Sequence, residues 1–253
     1  MDSEKIYSHI LDISRENKIS RPYVVGGIPR DLISKSPANY MDIDITTNYS
    51  DIIRLGILFA KKLNAGFEIF KDGHISVFLK SYSVDFSSNY ISEDAIKYNS
   101  KEIGNDDFLK EVYSRDFTAN TLLIDIETKE IIDPTGLGRQ DIYDKIIRTV
   151  SSPEITFLDD PNRILRAIEL ATRMDFVLHQ DITKFLSKNS DLIINELNIK
   201  DGYIESSIGK SLTNNPTRTI ELLLNLNLLK LVPLTGSFKN ELIKRRMIKQ
   251  YLD

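Results

Sequence analysis

A double glycine that leads into a helix start, followed by two aspartates two residues apart, constrains this chain more than any other feature. Glycines let the backbone turn sharply and approach phosphates closely. A helix start directs free N–H groups at an anion, and Arg30 adds a planar positive group. The pattern predicts an α/β segment that sets an anion site beside paired carboxylates. Its two parts read Val24-Val25-Gly26-Gly27-Ile28-Pro29-Arg30-Asp31 and Asp42-Ile43-Asp44.

The two aspartates are expected to share one face of a strand, because side chains two residues apart on a strand point the same way. Paired carboxylates bind hard cations such as Mg²⁺, which also take phosphate oxygens. We therefore predict a nucleoside-triphosphate site with two Mg²⁺ ions held by Asp42 and Asp44. Asp85 lies on a later strand, and two interpretations of it stay open: a further catalytic carboxylate, or a solvated strand residue.

Composition favours a soluble globular protein and excludes several other classes. The 253 residues suffice for one large domain or two small ones, and no apolar run approaches a membrane span. No charged-then-apolar leader opens the chain, and the absence of cysteine excludes disulfides and thiolate metal sites. With a net charge of -4, any nucleic-acid contact must come from a local patch. We expect a cytoplasmic protein without a membrane partner, and the oligomeric state stays open.

Hydrophobic periodicity divides the chain into two parts and a tail. Alternating segments with a hairpin turn at Asp72-Gly73 predict strands in the first part, and the polar stretch 87–105 is expected to be a loop. From Phe157 onward the pattern is almost wholly helical. We predict an α/β domain over 1–150, a helical domain over 151–234 and a short basic helix over 235–253. Expected helices are 4–17, 30–35, 52–63, 163–174, 182–186, 204–212 and 217–229; expected strands are 23–26, 42–46, 67–70, 75–79 and 83–86.

Two motifs in the middle of the chain have both a functional and a structural interpretation. In Ser114-Arg115-Asp116-Phe117-Thr118-Ala119-Asn120, Arg115 is a candidate for the triphosphate, and Asp116 and Asn120 are candidates for a sugar hydroxyl. Alone, this segment favours a helix start with Asp116 near the cap. The second motif, Ile132-Asp133-Pro134-Thr135-Gly136-Leu137-Gly138 followed by Asp141, predicts a turn into a helix that Asp141 braces.

An Asp–Arg pair near residue 160 is a candidate reader of the nucleotide base. Asp159-Asp160-Pro161-Asn162-Arg163 is interpreted as the opening of the first long helix, where acids are favourable. Asp160 and Arg163 would then share one helix face. A carboxylate accepts from the exocyclic amino group of adenine or cytosine, and an arginine donates to the adjacent ring nitrogen. Uracil and guanine present the reverse polarity, and mispaired buried groups discriminate strongly. The pair thus predicts selection of ATP and CTP without a template.

In combination, these motifs resemble the class II tRNA nucleotidyltransferases (CCA-adding enzymes) and the related bacterial-type poly(A) polymerases. They occur in the order found in that family, cover roughly residues 20–175, and continue as a weaker likeness to about Pro233. The matching segments are residues 25–31, 42–44, 115–120, Asp133-Pro134 with Gly136 and Asp141, and 160–167.

The resemblance implies an α+β fold with a polymerase β-like nucleotidyltransferase head, built on a small mixed sheet, and an all-helical neck. It implies attack of an RNA 3′-hydroxyl on the α-phosphate, with release of pyrophosphate. Asp42 and Asp44 would hold the metals. The residues expected to bind the nucleotide are Gly26, Gly27, Arg30, Arg115, Asp116, Asn120, Asp160, Arg163 and Arg166.

Departures from the family pattern keep several functions open. They are Pro29, Ser114, Asp159 and Glu169, together with the absence of body and tail domains; Glu169 stands where an arginine is expected. The basic tail is the candidate substitute for RNA binding, since phosphate contacts supply most non-specific affinity. The first interpretation is CCA addition or repair on tRNA, the second is A-only or poly(A) addition, and a third is an inactive RNA-binding relative. An antibiotic nucleotidyltransferase is disfavoured by the Asp–Arg pair. The tail residues are Lys244, Arg245, Arg246 and Lys249.

Overall fold

The computed structural model describes residues 3–36, 42–71, 73–80, 82–87, 91–196 and 203–229. A seven-stranded sheet dominates the first part, in the order β3-β4-β5-β2-β1-β6-β7. β2 and β5 run parallel and the other neighbours run antiparallel. The predicted mixed sheet is confirmed, and so is the β3–β4 hairpin. The strands are β1 (Tyr23–Val25), β2 (Asp42–Thr46), β3 (Gly66–Ile69), β4 (Ile75–Phe78), β5 (Ser83–Phe86), β6 (Leu123–Asp125) and β7 (Ile131–Ile132).

Twelve helices accompany the sheet within the described residues. The first three belong to the sheet region: α1 (Ser3–Glu16), α2 (Gly27–Ser34) and α3 (Ile52–Leu63). Short ones follow: α4 (Glu93–Tyr98), α5 (Ser100–Ile103), α6 (Asp107–Tyr113) and α7 (Gly138–Tyr143). The later part contains α8 (Pro153–Asp159), α9 (Arg163–Met174), α10 (Gln180–Glu196), α11 (Tyr203–Asn214) and α12 (Pro216–Asn225). A parallel pair, β8 (Ile146–Ile147) with β9 (Val177–Leu178), joins the two parts.

α1 and α3 cover one face of the sheet because their apolar residues recur at helical spacing. Ile6 and Ile10 of α1 and Phe59 of α3 are fully buried in one cluster with the strands. The ring of Phe59 packs against Phe86 of β5 with centroids 5.3 Å apart. This packing leaves the opposite face of β2 and β5 free to carry polar side chains.

A second apolar cluster extends across residue 150 of the chain. It joins Phe117 and Ile147 to Phe157 of α8, Ile164 of α9 and Leu223 of α12. All five side chains are at most 1% exposed. α9 is therefore held against the sheet region by a shared core, which fixes the position of its polar face.

Two expectations from the sequence are wrong. Residues 91–105 are not a loop throughout, because α4 and α5 lie there; Ser92 caps α4 by accepting a hydrogen bond from the backbone N–H of Ala95 at 3.2 Å. Helices of one or two turns are too short to show a clear period. The acid pair does not open α9 either. α8 ends at Asp159, Asp160 is extended (φ −147°), and α9 begins only at Arg163.

The predicted basic helix over 235–253, with Lys244, Arg245, Arg246 and Lys249, lies outside the described residues. Within the parts of the chain that the structure describes, no helix combines the length and apolarity needed to cross a membrane.

Candidate functional site

A cavity of about 240 Å³ lies between the sheet and α9. Four segments that are far apart in sequence meet there: the double-glycine turn, the ends of β2 and β5, the segment after α6, and α9. Every predicted nucleotide-binding residue except Asp160 lies in its wall, while Ser87 and Ser114 were not predicted. The lining consists of Gly26, Gly27, Arg30, Asp44, Ser87, Ser114, Arg115, Asp116, Asn120, Arg163 and Arg166.

The double-glycine turn lies directly against a carboxylate. Gly26 has φ +75°, in the region that favours glycine. A Cβ added there would stand 2.3 Å from Oδ2 of Asp44, closer than any real contact. Glycine is thus required for two reasons, the backbone conformation and the close approach of β2.

Gly26→Ala is expected to reduce nucleotide binding and activity far more than stability. The backbone strain costs about 1–3 kcal/mol, and the new methyl group must also displace Asp44. Urea unfolding and nucleotide titration of the same samples would separate the two effects. Gly209→Ala is the matched control, because a Cβ there meets no atom within 4 Å. Unchanged nucleotide affinity in Gly26→Ala would contradict the role assigned to this turn.

Arg30 is buried at the start of α2 with its guanidinium held at two points. It is 6% exposed. Its Nε donates to Oδ1 of Asp31 at 2.8 Å, and its Nη1 donates to Oδ1 of Asn120 at 2.5 Å. Burial lowers the pKa of Arg30 below its ordinary value, and the neighbouring Asp31 opposes this. Pro29 lies in the first turn of α2, where a proline needs no N–H partner, so this departure fits the helix.

The pairing of β2 with β5 brings the predicted carboxylates together. Asp44 is in register with Asp85, and Asp42 with Ser83, whose hydroxyl donates to Asp42 at 2.5 Å. Burial raises the pKa of Asp44 to about 6; Asp85 and Asp42 add to this, while Arg115 and Arg30 oppose it. Oδ1 of Asp85 is buried without a hydrogen-bond partner. A solvated residue would not bury an unpaired oxygen. This observation therefore favours the interpretation of Asp85 as a further carboxylate of the cluster.

These carboxylates fit a divalent cation that takes its other ligands from elsewhere. Among the described residues, no three His, Cys, Asp or Glu side chains converge on one metal position. A hard cation completes its shell with phosphate oxygens and water when the protein supplies one or two carboxylates. The unpaired oxygen of Asp85 and the raised pKa of Asp44 both indicate negative charge that lacks compensation here.

Arg115 reaches the cavity with the support of a residue that was not predicted. Its Nη2 donates to Oε1 of Glu111 at 2.6 Å, and both side chains are less than a tenth exposed. Its Nε is buried without a hydrogen-bond partner. Glu111 and Arg115 are four residues apart, a spacing that pairs side chains on a helix. That spacing is the signal by which Glu111 could have been found from the sequence.

Asp116 braces the wall of the cavity. Its Oδ1 accepts from the backbone N–H of Phe117 at 2.8 Å and from Nδ2 of Asn120 at 2.9 Å, and its Oδ2 pairs with Nε of Arg166 at 3.0 Å. Burial alone would raise the pKa of Asp116, but Arg166, the hydrogen bond from Asn120 and Arg163 together hold it below the ordinary value. Asp116 therefore stays ionised and links α9 to the segment after α6.

Asp160 lies beside the cavity at the junction of α8 and α9. Its Oδ2 is 3.8 Å from Nε of Arg163 and 3.7 Å from Nη2 of Arg166. Arg163 donates from Nη2 to the backbone oxygen of Ser114 at 2.9 Å, and its buried Nε has no hydrogen-bond partner. Burial lowers the pKa of Arg163. The predicted Asp–Arg pair exists, although a helix junction rather than one helix face brings its members together.

The turn before α7 has the structural role expected of it. Oδ2 of Asp133 accepts from the backbone N–H of Arg139 at 2.9 Å. Asp141 is buried, accepts from the hydroxyl of Thr118 at 2.6 Å and pairs with Arg148 at 2.9 Å. These contacts hold the segment that ends in Asn120 at the cavity.

Comparison with known proteins identifies a family. Residues 22–148, half of the chain, match the sequence model of a family described as Poly A polymerase head domain. A CCA-adding enzyme of Staphylococcus epidermidis is 27% identical over 227 residues, which is 88% of this chain and 54% of that protein. A CCA-adding enzyme of Geobacillus stearothermophilus is 30% identical over 175 residues, which is 68% of this chain and 41% of that protein.

Solved structures show the same fold. The Thermotoga maritima CCA-adding enzyme complexed with tRNA is 25% identical, with a TM-score of 0.67, and the match covers 90% of this chain and 51% of that one. The chain thus spans about half the length, or less, of these relatives.

Proposed function

Because this chain belongs to the family of poly A polymerase head domains, we propose that it adds C and A nucleotides to the 3′ end of tRNA from CTP and ATP without a template. One observation carries the proposal: a single cavity places the double glycine and four arginines beside the half-buried carboxylate Asp44. Its relatives are named CCA-adding enzymes, and one solved neighbour is complexed with tRNA.

The phosphates are assigned to the glycine side of the cavity. Backbone N–H groups at a helix start bind anions, and the planar guanidinium groups of Arg30 and Arg115 add directed donors. The hydrogen bond from Nη2 of Arg115 to Glu111 orients the guanidinium group. Its Nε has no hydrogen-bond partner and is therefore a donor for the phosphates. These residues bind and orient the triphosphate.

Asp42 and Asp44 are assigned to Mg²⁺, with two ions in the complete complex, and Asp85 is a further catalytic carboxylate beside them. When bound, the ions lower the pKa of the attacking hydroxyl and neutralise charge on the leaving oxygens. The protein contributes the register of β2 and β5, which sets the carboxylates side by side. It also contributes partial burial, which raises the pKa of Asp44 and leaves Oδ1 of Asp85 without a hydrogen-bond partner.

The base is assigned to Asp160 and Arg163, with Arg166 holding Asp160 from the other side. Nε of Arg163 has no hydrogen-bond partner and gives the site a donor for a ring nitrogen. In this proposal residues 1–150 form the catalytic head and residues 151–234 the base-reading neck. The basic residues Lys244, Arg245, Arg246 and Lys249 bind RNA phosphates.

Incubation with tRNAs that lack CCA, CA or A, with each NTP and Mg²⁺, tests the function. We expect CMP incorporation into tRNA lacking CCA and AMP incorporation into tRNA ending in CC. Incorporation of AMP alone would replace CCA addition by A-only or poly(A) addition, which the family description also accommodates. No incorporation by the protein under any condition would refute the proposal. Asp42→Ala serves as the negative control.

A further inference from the structure

One arginine of α9 reaches the start of α2 from outside the main cavity. Arg173 lies in the last turn of α9, and its Nη1 donates to Oδ2 of Asp31 at 3.3 Å. The side chain of Arg173 is 35% exposed, whereas that of Asp31 is 6% exposed. Arg173 thus supplies a cation from the later part of the chain to a buried carboxylate of the sheet region.

Both oxygens of Asp31 are occupied by arginines. Oδ1 accepts from Nε of Arg30 at 2.8 Å, and Oδ2 accepts from Arg173. Removing one partner of a buried charged group leaves the other uncompensated, which is costly. Asp31 is therefore held in one orientation only while both guanidinium groups are present.

The orientation of Asp31 sets that of Arg30. A guanidinium group is planar, so the contacts of its Nε with Asp31 and its Nη1 with Asn120 fix its plane. Arg30 lines the main cavity and also a second one of about 140 Å³, which it shares with Glu169 and Arg173. The ion pair of Arg173 with Asp31 joins this part of α9 to α2.

We propose that Arg173 is a positioning residue: through Asp31 it holds the guanidinium of Arg30 in the orientation that binds the nucleotide phosphates. The inference rests on the proposed function, because it assigns Arg30 to those phosphates. Arg173 acts through Asp31, so its loss weakens nucleotide binding and leaves the chemical step nearly unchanged.

Calorimetric titration of the full chain with ATP and Mg²⁺ tests this role. Arg173→Met is expected to weaken ATP binding about tenfold, by analogy with the loss that follows removal of a residue that orients a metal ligand. KM for ATP should rise by a similar factor with kcat within about twofold. Arg173→Lys should recover part of the affinity, since an ammonium group still donates to Asp31. Lys184→Met is the control for charge, because Lys184 is exposed and its ammonium group donates to Gln180 within α10.

A purely structural role would lower the melting temperature of Arg173→Met and leave its affinity for ATP unchanged, and that result would overturn the inference. The Arg30→Met background gives a second criterion. There, Arg173→Met should change affinity less than about twofold, because coupled residues are not additive; a full tenfold further loss would show that Arg173 acts independently. If the unaltered protein binds no ATP, the proposed function itself fails, whereas equal binding by Arg173→Met refutes only this inference.

Discussion

Asp44→Asn is expected to lower nucleotide incorporation by at least about 10³-fold, because it removes a carboxylate from the proposed metal site. The same change should stabilise the protein in the absence of metal. Asp44 is half-buried beside Asp42 and Asp85, and its pKa is raised to about 6. An amide of the same size removes this buried charge.

The pH dependence of that stabilisation follows from the direction of the shift. The ordinary pKa of this carboxyl group is 3.8. Between about pH 4 and pH 6 the folded protein keeps a proton on Asp44 that the unfolded chain has released, so the contribution of Asp44 to stability falls as pH rises through this range. Above it the charge costs up to about 3 kcal/mol. Asp44→Asn should therefore gain about 1–3 kcal/mol at pH 8 and almost nothing near pH 4.

Urea unfolding of metal-free protein at both pH values measures this difference. Mg²⁺ should raise the melting temperature of the unaltered protein and leave that of Asp44→Asn unchanged, since a ligand stabilises only the state that binds it. Asp12→Asn, on the exposed part of α1, should change stability by less than about 0.5 kcal/mol at either pH. An Asp44→Asn protein that retains incorporation would show that Asp44 is not a metal ligand.

Asp160→Ala should remove most of the preference for ATP and CTP over UTP and GTP. The carboxylate is assigned to the exocyclic amino group, and loss of a buried hydrogen-bond partner costs about 10²-fold or more in kcat/KM. Rates with UTP and GTP should change much less, because those bases gain nothing from the acid. Comparison of kcat/KM for all four nucleotides on one tRNA measures the effect.

The fold should survive Asp160→Ala, since Arg166 keeps its contact with Asp116 at 3.0 Å. Asp12→Ala removes an exposed acid of another helix and is expected to leave selectivity unaltered. Equal losses with all four nucleotides would assign Asp160 to general binding instead of base recognition.

The motif-bearing segments could be predicted because their geometry is local. A spacing of two residues on a strand decides that Asp42 and Asp44 share a face, and a glycine at positive φ marks the turn. The contribution of Asp85 depends on the parallel register of β2 with β5, which alternation within one strand cannot specify. The periodic helices 4–17, 52–63 and 163–174 were likewise found close to their observed bounds.

The missed features depend on contacts between distant segments. Asp31 meets Arg173 across 142 positions of sequence, and no period links them. The position of α4 depends on packing and on a hydrogen bond from Ser92 to Asp159, which are 67 positions apart in the sequence. The pattern wrongly placed Asp160 at the start of α9, because acids followed by proline also begin many helices. Tertiary contacts decide such cases.

The apolar cluster around Phe117, Ile147 and Phe157 contains residues from both sides of position 148. The match to the family's sequence model ends at residue 148. A chain cut there would leave Phe117 and Ile147, now fully covered, facing water where α8 and α9 had been. The segment that the model matches is thus shorter than the segment that buries its own apolar surface. The sheet region therefore depends for part of its stability on α8 and α9.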